Sequence, residues 1–165
     1  MPIEIELLNE IKISYQLAQD SGSFIFESKE EENAFWSWFK NKANVLTANN
    51  NLDDLEDDFT YVAGNCYGNS QVVMQHHNKN YFEGFVLNKD SYLRHGFNFS
   101  FDQVQDFTVH YNKSSFREDN GDLPDTYIGI RIPMDFVRNN RNVDFDTNYI
   151  NIDPLLLDYY RSLIN

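Results

Sequence analysis

The sequence contains a single cysteine, Cys66, among 165 residues. A scaffold held together by disulfide bonds therefore cannot form, and a reducing intracellular environment is the simpler expectation. Long apolar segments are also lacking, since the longest runs, such as Leu155–Leu157, have four residues or fewer, whereas a membrane span needs about 20. The first residues show no basic stretch followed by an apolar one, so we expect no secretory signal and a cytoplasmic protein.

Basic side chains are scarce: 13 Lys and Arg oppose 26 Asp and Glu, which gives a formal net charge of −13 and an isoelectric point near 4.5. Because contacts to phosphate depend on Lys and Arg, direct binding to nucleic acid is disfavoured. A net charge of magnitude about 2–8 keeps a small domain soluble, and the surplus here repels itself. The surplus therefore favours a function in which acidic side chains meet a basic partner.

Motifs with a fixed local geometry are missing as well: there is no glycine-rich phosphate loop, no zinc-binding pattern and no calcium-binding loop register. We therefore expect no cofactor and no metal, and a protein that is not an enzyme. The remaining reactive side chains are Cys66 and four histidines, His76, His77, His95 and His110. We expect ordinary sheet histidines, although Cys66 beside one of them in space would form a nucleophilic site.

Aromatic side chains, by contrast, are abundant. Hydrophobic residues make up 41% of the chain and aromatic residues 16%. A disordered acidic chain is poor in aromatic residues, so this chain is expected to fold. Its length fits one domain, which we place at 1–165.

One helix is predicted clearly. Ser28 begins a capping-box pattern, and three glutamates follow where the helix dipole favours negative charge, which predicts a helix over 29–43. The core-facing residues are predicted to be Phe35, Trp38 and Phe39, with Trp36 flanking them.

Other helical segments are predicted with less definition. Asp153-Pro154 is predicted to be the N-cap and first residue of a C-terminal amphipathic helix, and Pro133–Asn139 to form one helical turn. Residues 3–18 leave two interpretations open. Isoleucines at odd positions favour a strand, whereas the spacing of Leu8, Ile11 and Tyr15 equally makes a helical stripe.

Strands are predicted where short aromatic segments alternate with turn residues. The predicted strands are Ser23–Glu27, Tyr61–Ala63, Gln71–His76, Tyr81–Leu87, Tyr92–Phe101, Phe107–Tyr111 and Thr126–Ile132. Apolar residues on both faces of Tyr81–Leu87 indicate a covered, central strand, and Glu118–Asp122 is predicted to be a polar loop. The order of elements predicts an α+β fold, a mainly antiparallel sheet with N-proximal and C-terminal helices packed on it.

Two acidic segments are the candidate partner-binding surface. Neighbouring aromatic side chains would supply the desolvated contacts that charge alone does not provide. The candidate residues are Asp53, Asp54, Glu56, Asp57 and Asp58, then Glu118, Asp119, Asp122 and Asp125, with Trp36 and Tyr61 as aromatic anchors. We expect a basic protein as partner, no membrane contact, and a monomer or weak dimer.

Its size, the acidic segments 53–58 and 118–125, and its aromatic-rich α+β pattern make the chain similar to the small acidic cytoplasmic immunity proteins of bacterial contact-dependent growth inhibition and related toxin systems. This resemblance implies neutralisation of a cognate basic toxin, often a nuclease, by occlusion of its active or substrate-binding surface. Two alternatives remain open: a nucleic-acid mimic that inhibits a defence enzyme, and a small-ligand or enzymatic domain that uses His76, His95, His110 or Cys66 in an aromatic pocket.

Overall fold

One antiparallel sheet organises the computed structural model, which describes residues 2–18, 24–55, 60–140 and 154–165. Its strands are β1 Asn44–Thr47, β2 Asn80–Asn88, β3 Ser91–Ser100, β4 Gln103–Gln105 and β5 Thr126–Ile132. The helices of the described residues are α1 Ile5–Leu17, α2 Lys29–Lys42, α3 Cys66–His77, α4 Phe107–Tyr111, α5 Lys113–Phe116, α6 Met134–Asn140 and α7 Leu156–Ile164. The predicted α+β fold, with helices at both ends of the chain, is confirmed.

The sheet has the order β1-β5-β2-β3-β4, and each neighbouring pair is antiparallel. The predicted strands Tyr81–Leu87, Tyr92–Phe101 and Thr126–Ile132 correspond to β2, β3 and β5. β2 lies in the middle of the sheet and is buried along most of its length, as expected for a covered strand. The apolar residues on both faces of this segment therefore predicted the centre of the sheet correctly.

Helix α2 confirms the prediction over 29–43 and corrects the positions of its two tryptophans. The Ser28 hydroxyl accepts a hydrogen bond from the Glu31 N–H at 3.1 Å, as a capping box requires. Trp36 is only 2% exposed and its ring lies 5.4 Å from that of Tyr15, whereas Trp38 is partly exposed. Trp36 is therefore a core residue, and its predicted role as a partner-binding anchor is wrong.

Residues 3–18 adopt the helical alternative, with α1 covering Ile5–Leu17. Leu8, Ile11 and Tyr15 lie on one face of α1 and are buried, whereas Leu17 is 83% exposed. Packing of this face against the core outweighs the strand propensity of the isoleucines, because helix stability in proteins depends mainly on burial of an amphipathic face.

Four of the predicted strands are wrong: Ser23–Glu27, Tyr61–Ala63, Gln71–His76 and Phe107–Tyr111. Residues 24–27 of the first segment, which are the ones the structure describes, have an irregular backbone, and so does Tyr61–Ala63. The third lies within α3 and the fourth is α4. Side-chain caps explain both helices, because Asn65 accepts a hydrogen bond from the first turn of α3 and Asp106 does the same for α4.

The sheet curls until its two edges meet. Ala48, directly after β1, forms a parallel bridge with Val104 of β4, and the Asn49 N–H donates to the Val104 carbonyl at 2.9 Å. Glycine in the central strand permits this curvature, because a Cβ on Gly84 would collide with the backbone carbonyl of Ile128 in β5.

Both faces of the curled sheet are buried. One face packs against α1, α2, α6 and α7 in the larger core. The other face carries a smaller apolar cluster of strand side chains, Phe82, Val86, Phe97, Val104 and Tyr127. Because alternate residues of a strand point to opposite faces, Glu83 and Tyr127 lie on opposite sides of the sheet, since Tyr127 pairs in register with Val86.

Helix α7 is attached to the larger-core face through a buried carboxylate. Glu83 of β2 is 1% exposed, and its two oxygens accept hydrogen bonds from the Leu155 and Leu156 N–H groups, each at 2.8 Å. These N–H groups are ones that the first turn of a helix leaves unpaired. The helix begins at Leu156, later than the predicted start at Asp153-Pro154, of which Asp153 lies outside the described residues.

The helical turn predicted over Pro133–Asn139 is confirmed as α6, Met134–Asn140. No helix within the described residues is both long enough and apolar enough to cross a membrane.

Candidate active site

Cys66 is the first residue of α3, and the preceding loop is fixed by its own hydrogen bonds. The Asn65 side chain accepts from the Gly68 N–H at 3.1 Å, and the Asn65 N–H donates to the Val62 carbonyl at 3.2 Å. Gly64 turns the chain with a φ of +74°, which glycine adopts without strain. The half-buried Cys66 thiol therefore has a defined position at the start of a 12-residue helix.

The start of α3 lies directly against β3, where glycine allows the approach. A Cβ on Gly96 would stand only 2.9 Å from the Cα of Tyr67. The Ser70 hydroxyl donates to the Gly96 carbonyl at 2.8 Å. The residue before this glycine is His95, so the start of α3 lies next to the part of β3 that carries the imidazole.

His95 connects the thiol to a carboxylate. Its Nε2 lies 2.7 Å from Asp106 Oδ2, and its side chain also forms a hydrogen bond with the Cys66 side chain. His95 and Asp106 are 3% and 4% exposed, so this chain of contacts is shielded from water.

The charges around the imidazole favour its protonated form. Burial disfavours the charged ring, but the Asp106 carboxylate and the Cys66 sulfur outweigh burial and hold the pKa of His95 well above its ordinary value. The ring of Phe116 lies edge-on at 5.8 Å from the imidazole. A neighbouring carboxylate favours the charged form of a buried imidazole, which is the direction of this shift.

Asp106 is itself held from three sides. As the N-cap of α4 it accepts a hydrogen bond from the Val109 N–H through Oδ1 at 3.1 Å. Its Oδ2 accepts both His95 and the hydroxyl of Tyr127, the latter at 2.8 Å. Burial and the Asp106 carboxylate raise the pKa of Tyr127 well above its usual range, so this hydroxyl remains a donor.

Asn69 ties the elements of the site together. Its amide accepts from the Val62 N–H at 3.1 Å and donates to the Val62 carbonyl at 2.9 Å, as a neighbouring strand would. The same amide also donates to the Thr108 hydroxyl of α4 at 3.3 Å. The loop before Cys66, helix α3 and the element that carries Asp106 are therefore cross-linked by one buried side chain.

A thiol, an imidazole and a carboxylate in this order form the arrangement that activates a nucleophile. The imidazole accepts the thiol proton, and the carboxylate orients the ring and stabilises its charge. The sequence had left Cys66 open as a nucleophile with one of the histidines; the structure brings it together with His95.

The other histidines stay apart from this cluster. His76 and His77 are in the last turn of α3, on a helix and not on the predicted strand. His110 lies in α4, where its Nε2 is 2.7 Å from Asp54 Oδ1. Over the ranges that the structure describes, no group of three or more His, Cys, Asp or Glu side chains could hold a metal ion.

The predicted acidic surface is placed only in part. Asp53, Asp54, Asp119, Asp122 and Asp125 are exposed and Glu118 is half-buried, whereas Glu56, Asp57 and Asp58 lie outside the described residues. The residues just before Asp53 meet the second segment, because the Asn50 amide donates to the Pro124 carbonyl at 3.2 Å. An open pocket of about 420 Å³ lies between residues 50–51 and 113–125, and Asp122, Asp125, Lys113 and Arg117 are among its lining residues.

Tyr61, the second predicted anchor, belongs to the neighbourhood of Cys66. It is half-buried, and its ring stacks on Tyr111 at 6.1 Å. Burial raises the pKa of its hydroxyl, and the charges of Asp106 and Cys66 also contribute to this shift. Its position fits a lining residue of the Cys66 site better than an anchor on the acidic surface.

Sequence reasoning missed Asp106 and Tyr127 as members of the site. Tyr127 lies in the predicted strand Thr126–Ile132, and Asp106 directly precedes the predicted strand Phe107–Tyr111. The usable signal was local: an Asp or Asn three residues before a helical N–H is an N-cap pattern, and it occurs at Asn65 and at Asp106. The first would have placed Cys66 at a helix start, and the second would have ended the sheet before Phe107.

No family model matches the sequence, and no curated protein or solved structure is significantly similar to it.

Proposed function

We propose that the protein is a cysteine-dependent acyl-transfer enzyme that cleaves an amide or ester bond. In this proposal Cys66 is the nucleophile, His95 is the general base and acid, and Asp106 orients the imidazole. The observation that supports it is the unbroken series of contacts from the Cys66 thiol through His95 to Asp106 Oδ2. This function departs from the non-catalytic binding role expected from the sequence.

The reaction proceeds in two halves. In the first, the Cys66 sulfur forms a bond to the substrate carbonyl carbon, the tetrahedral intermediate collapses, and the leaving amine or alcohol takes from His95 the proton that the thiol gave up. In the second, water or an acceptor amine attacks the thioester, His95 removes its proton, and the thiol is released. Every proton is carried by the imidazole, and no oxidant or reductant is needed.

The start of α3 supplies groups for the negative oxygen of the intermediate. The first N–H groups of a helix have no acceptor within the helix. The Asn65 side chain accepts a hydrogen bond from the Gly68 N–H. The N–H groups of Cys66 and Tyr67 come before it in the same turn. In the proposed reaction the Cys66 N–H stabilises the oxyanion together with the positive end of the helix dipole.

Acylation of the full-length chain by p-nitrophenyl acetate tests the proposal. We expect a burst of p-nitrophenolate and an acetyl adduct on Cys66, found by peptide mass spectrometry. His95→Ala should lower the acylation rate by about 10²–10⁴-fold, the range for loss of a general base. Cys66→Ala should abolish the adduct, and the assignment is unambiguous because the chain has a single cysteine.

His76→Ala is the matched control, since His76 is an exposed histidine in the last turn of the same helix. It should leave the acylation rate unchanged. A wild-type rate no faster than that of a free cysteine peptide, or an equal rate in His95→Ala, would overturn the proposal.

We propose as a second function that the acidic surface formed by segments 49–55 and 117–125 binds a basic protein, such as the toxin implied by the resemblance to immunity proteins. The contact between Asn50 and Pro124 supports it, because the two segments form one surface. Reversal of charge at Asp53, Asp119 and Asp122 should weaken a salt-sensitive association in a pull-down from the source organism. Unchanged capture would contradict this function.

A further inference from the structure

A fourth side chain belongs to the series that begins at Cys66. Tyr127 of β5 has no exposed surface, and its hydroxyl donates to Asp106 Oδ2 at 2.8 Å. The same oxygen accepts His95 Nε2 at 2.7 Å. One carboxylate oxygen is therefore shared between an imidazole and a phenol.

The carboxylate also has a hydrogen bond that does not involve the hydroxyl. Asp106 Oδ1 accepts from the Val109 N–H at 3.1 Å, and this N-cap contact fixes the carboxylate at the start of α4. The Tyr127 hydroxyl therefore changes the negative charge on Asp106 Oδ2 that attracts the imidazole. A donated hydrogen bond spreads that charge and weakens the attraction for a second donor.

We propose, on the basis of the acyl-transfer function above, that Tyr127 is a positioning residue that acts through Asp106. Its hydroxyl limits the hold of the carboxylate on the His95 imidazolium, so that the ring can pass its proton to the leaving group. If Asp106 held the imidazolium too firmly, the thiolate would form readily, but the ring would be a poor general acid when the leaving group departs.

The other ionisable groups that act on these side chains are few in the described residues. Cys66 is the direct partner of His95, and Asp125 adds to the charge felt by Tyr127. Tyr61, from the loop before α3, feels the charges of both Asp106 and Cys66. None of these groups replaces the hydrogen bond from Tyr127 to Oδ2.

Tyr127→Phe removes only the hydroxyl and is the first test. The imidazole of His95, followed by NMR through its ring nitrogens, should titrate about 0.5–1 pH unit higher than in the wild type. The descending limb of the cleavage rate of an anilide against pH should move upward by the same amount, because its leaving amine, unlike p-nitrophenolate, must take the proton of His95. A purely structural loss would lower the rate without moving either titration.

Tyr81→Phe is the matched control, because Tyr81 is also fully buried and also donates to a carboxylate, Glu83, at 2.6 Å. It should not move the titration of His95. Site-specific replacement of Tyr127 by 3-fluorotyrosine keeps the hydroxyl and strengthens it as a donor, so the titration should move to lower pH. This second variant gives an answer even where Tyr127→Phe does not fold.

The outcomes separate the two proposals. If acylation depends on His95 but neither Tyr127 variant moves its titration, the role of Tyr127 is overturned and the acyl-transfer function stands. If His95→Ala leaves acylation unchanged, the acyl-transfer function itself is overturned.

Discussion

Two buried carboxylates, Asp106 and Glu83, lie on the two sides of this sheet in similar surroundings. Each accepts a hydrogen bond from a buried tyrosine, at 2.8 Å from Tyr127 and at 2.6 Å from Tyr81. At the start of a helix, Asp106 also accepts one backbone N–H and Glu83 accepts two. The two sites differ in the remaining contact, which for Asp106 is the imidazole of His95.

Because of this one contact, the proposed role of Asp106 is chemical, whereas the role of Glu83 is structural. The partners of Glu83 are peptide N–H groups and a phenol, none of which exchanges a proton near neutral pH, so Glu83 serves to attach α7. Asp106 faces a group that gains and loses a proton, and beyond that group stands a thiol. A buried carboxylate is therefore informative about function only when the titratable group it contacts is known.

The largest predicted effect compares the two carboxylates directly. Asp106→Asn should lower the acylation rate of Cys66 by about 10²–10⁴-fold, because the imidazole loses the group that orients it and stabilises its charge. Glu83→Gln, the same chemical change on the other face, should leave the rate within about threefold. Equal losses in the two variants would show that acylation reflects only the integrity of the fold.

The next effect concerns stability against pH. Burial raises the pKa of Glu83 to about 7, although the hydrogen bonds from Tyr81, Leu155 and Leu156 oppose the shift. A carboxyl with a raised pKa in the folded state stabilises that state fully below its unfolded value of 4.5, and this stabilisation is lost as the pH rises through about 7. The loss in the free energy of unfolding should reach up to about 3 kcal/mol.

Glu83→Gln should flatten that part of the profile, measured by urea unfolding between pH 5 and pH 8. Asp135→Asn is the control, since Asp135 is an exposed carboxylate in the first turn of α6, whereas the charge of Asp158 in α7 itself contributes to the raised pKa of Glu83. Asp135→Asn should keep the wild-type slope. A wild-type slope that survives in Glu83→Gln would assign the pH dependence to another group.

The smallest effect is expected on the exposed carboxylates. Charge reversal at Asp119 and Asp122 should change the free energy of unfolding by less than about 0.5 kcal/mol and leave acylation of Cys66 unchanged. Thermal unfolding and the p-nitrophenyl acetate assay check this. A large loss of acylation would instead connect the acidic surface to the Cys66 site.

The sequence predicted those elements whose pattern alone determines their structure. Strands β2, β3 and β5 are aromatic and β-branched segments of seven or more residues bounded by turn residues or proline, and α2 carries its own capping box, so each was recognised within a few residues. Helices α3 and α4 were missed because their β-branched and aromatic side chains imitate strands. What makes them helices is a single cap at Asn65 or Asp106 together with burial that the sequence does not show.

The candidate site was predictable only as a possibility. Cys66, His95 and Asp106 are far apart in sequence and come from a helix start, a strand and a helix cap. Their meeting depends on Gly96, which lets α3 touch β3, and on the curl that brings β4 to its place. Neither the close approach nor the curl has a sequence pattern that charge or periodicity reveals, so the abundant acidic residues drew attention to the surface instead.

The attachment of α7 to Glu83 has a consequence for the order of folding. The two hydrogen bonds join residues 72 and 73 positions apart, and contacts of such long range form after local ones, because closing a long loop costs conformational entropy. Helix α7 is therefore expected to join the sheet after the β2–β3 hairpin has formed. Opening of α7 would let water reach the Glu83 carboxylate, which gains hydration by ionising, so alkaline pH and transient opening of the C-terminal helix favour one another.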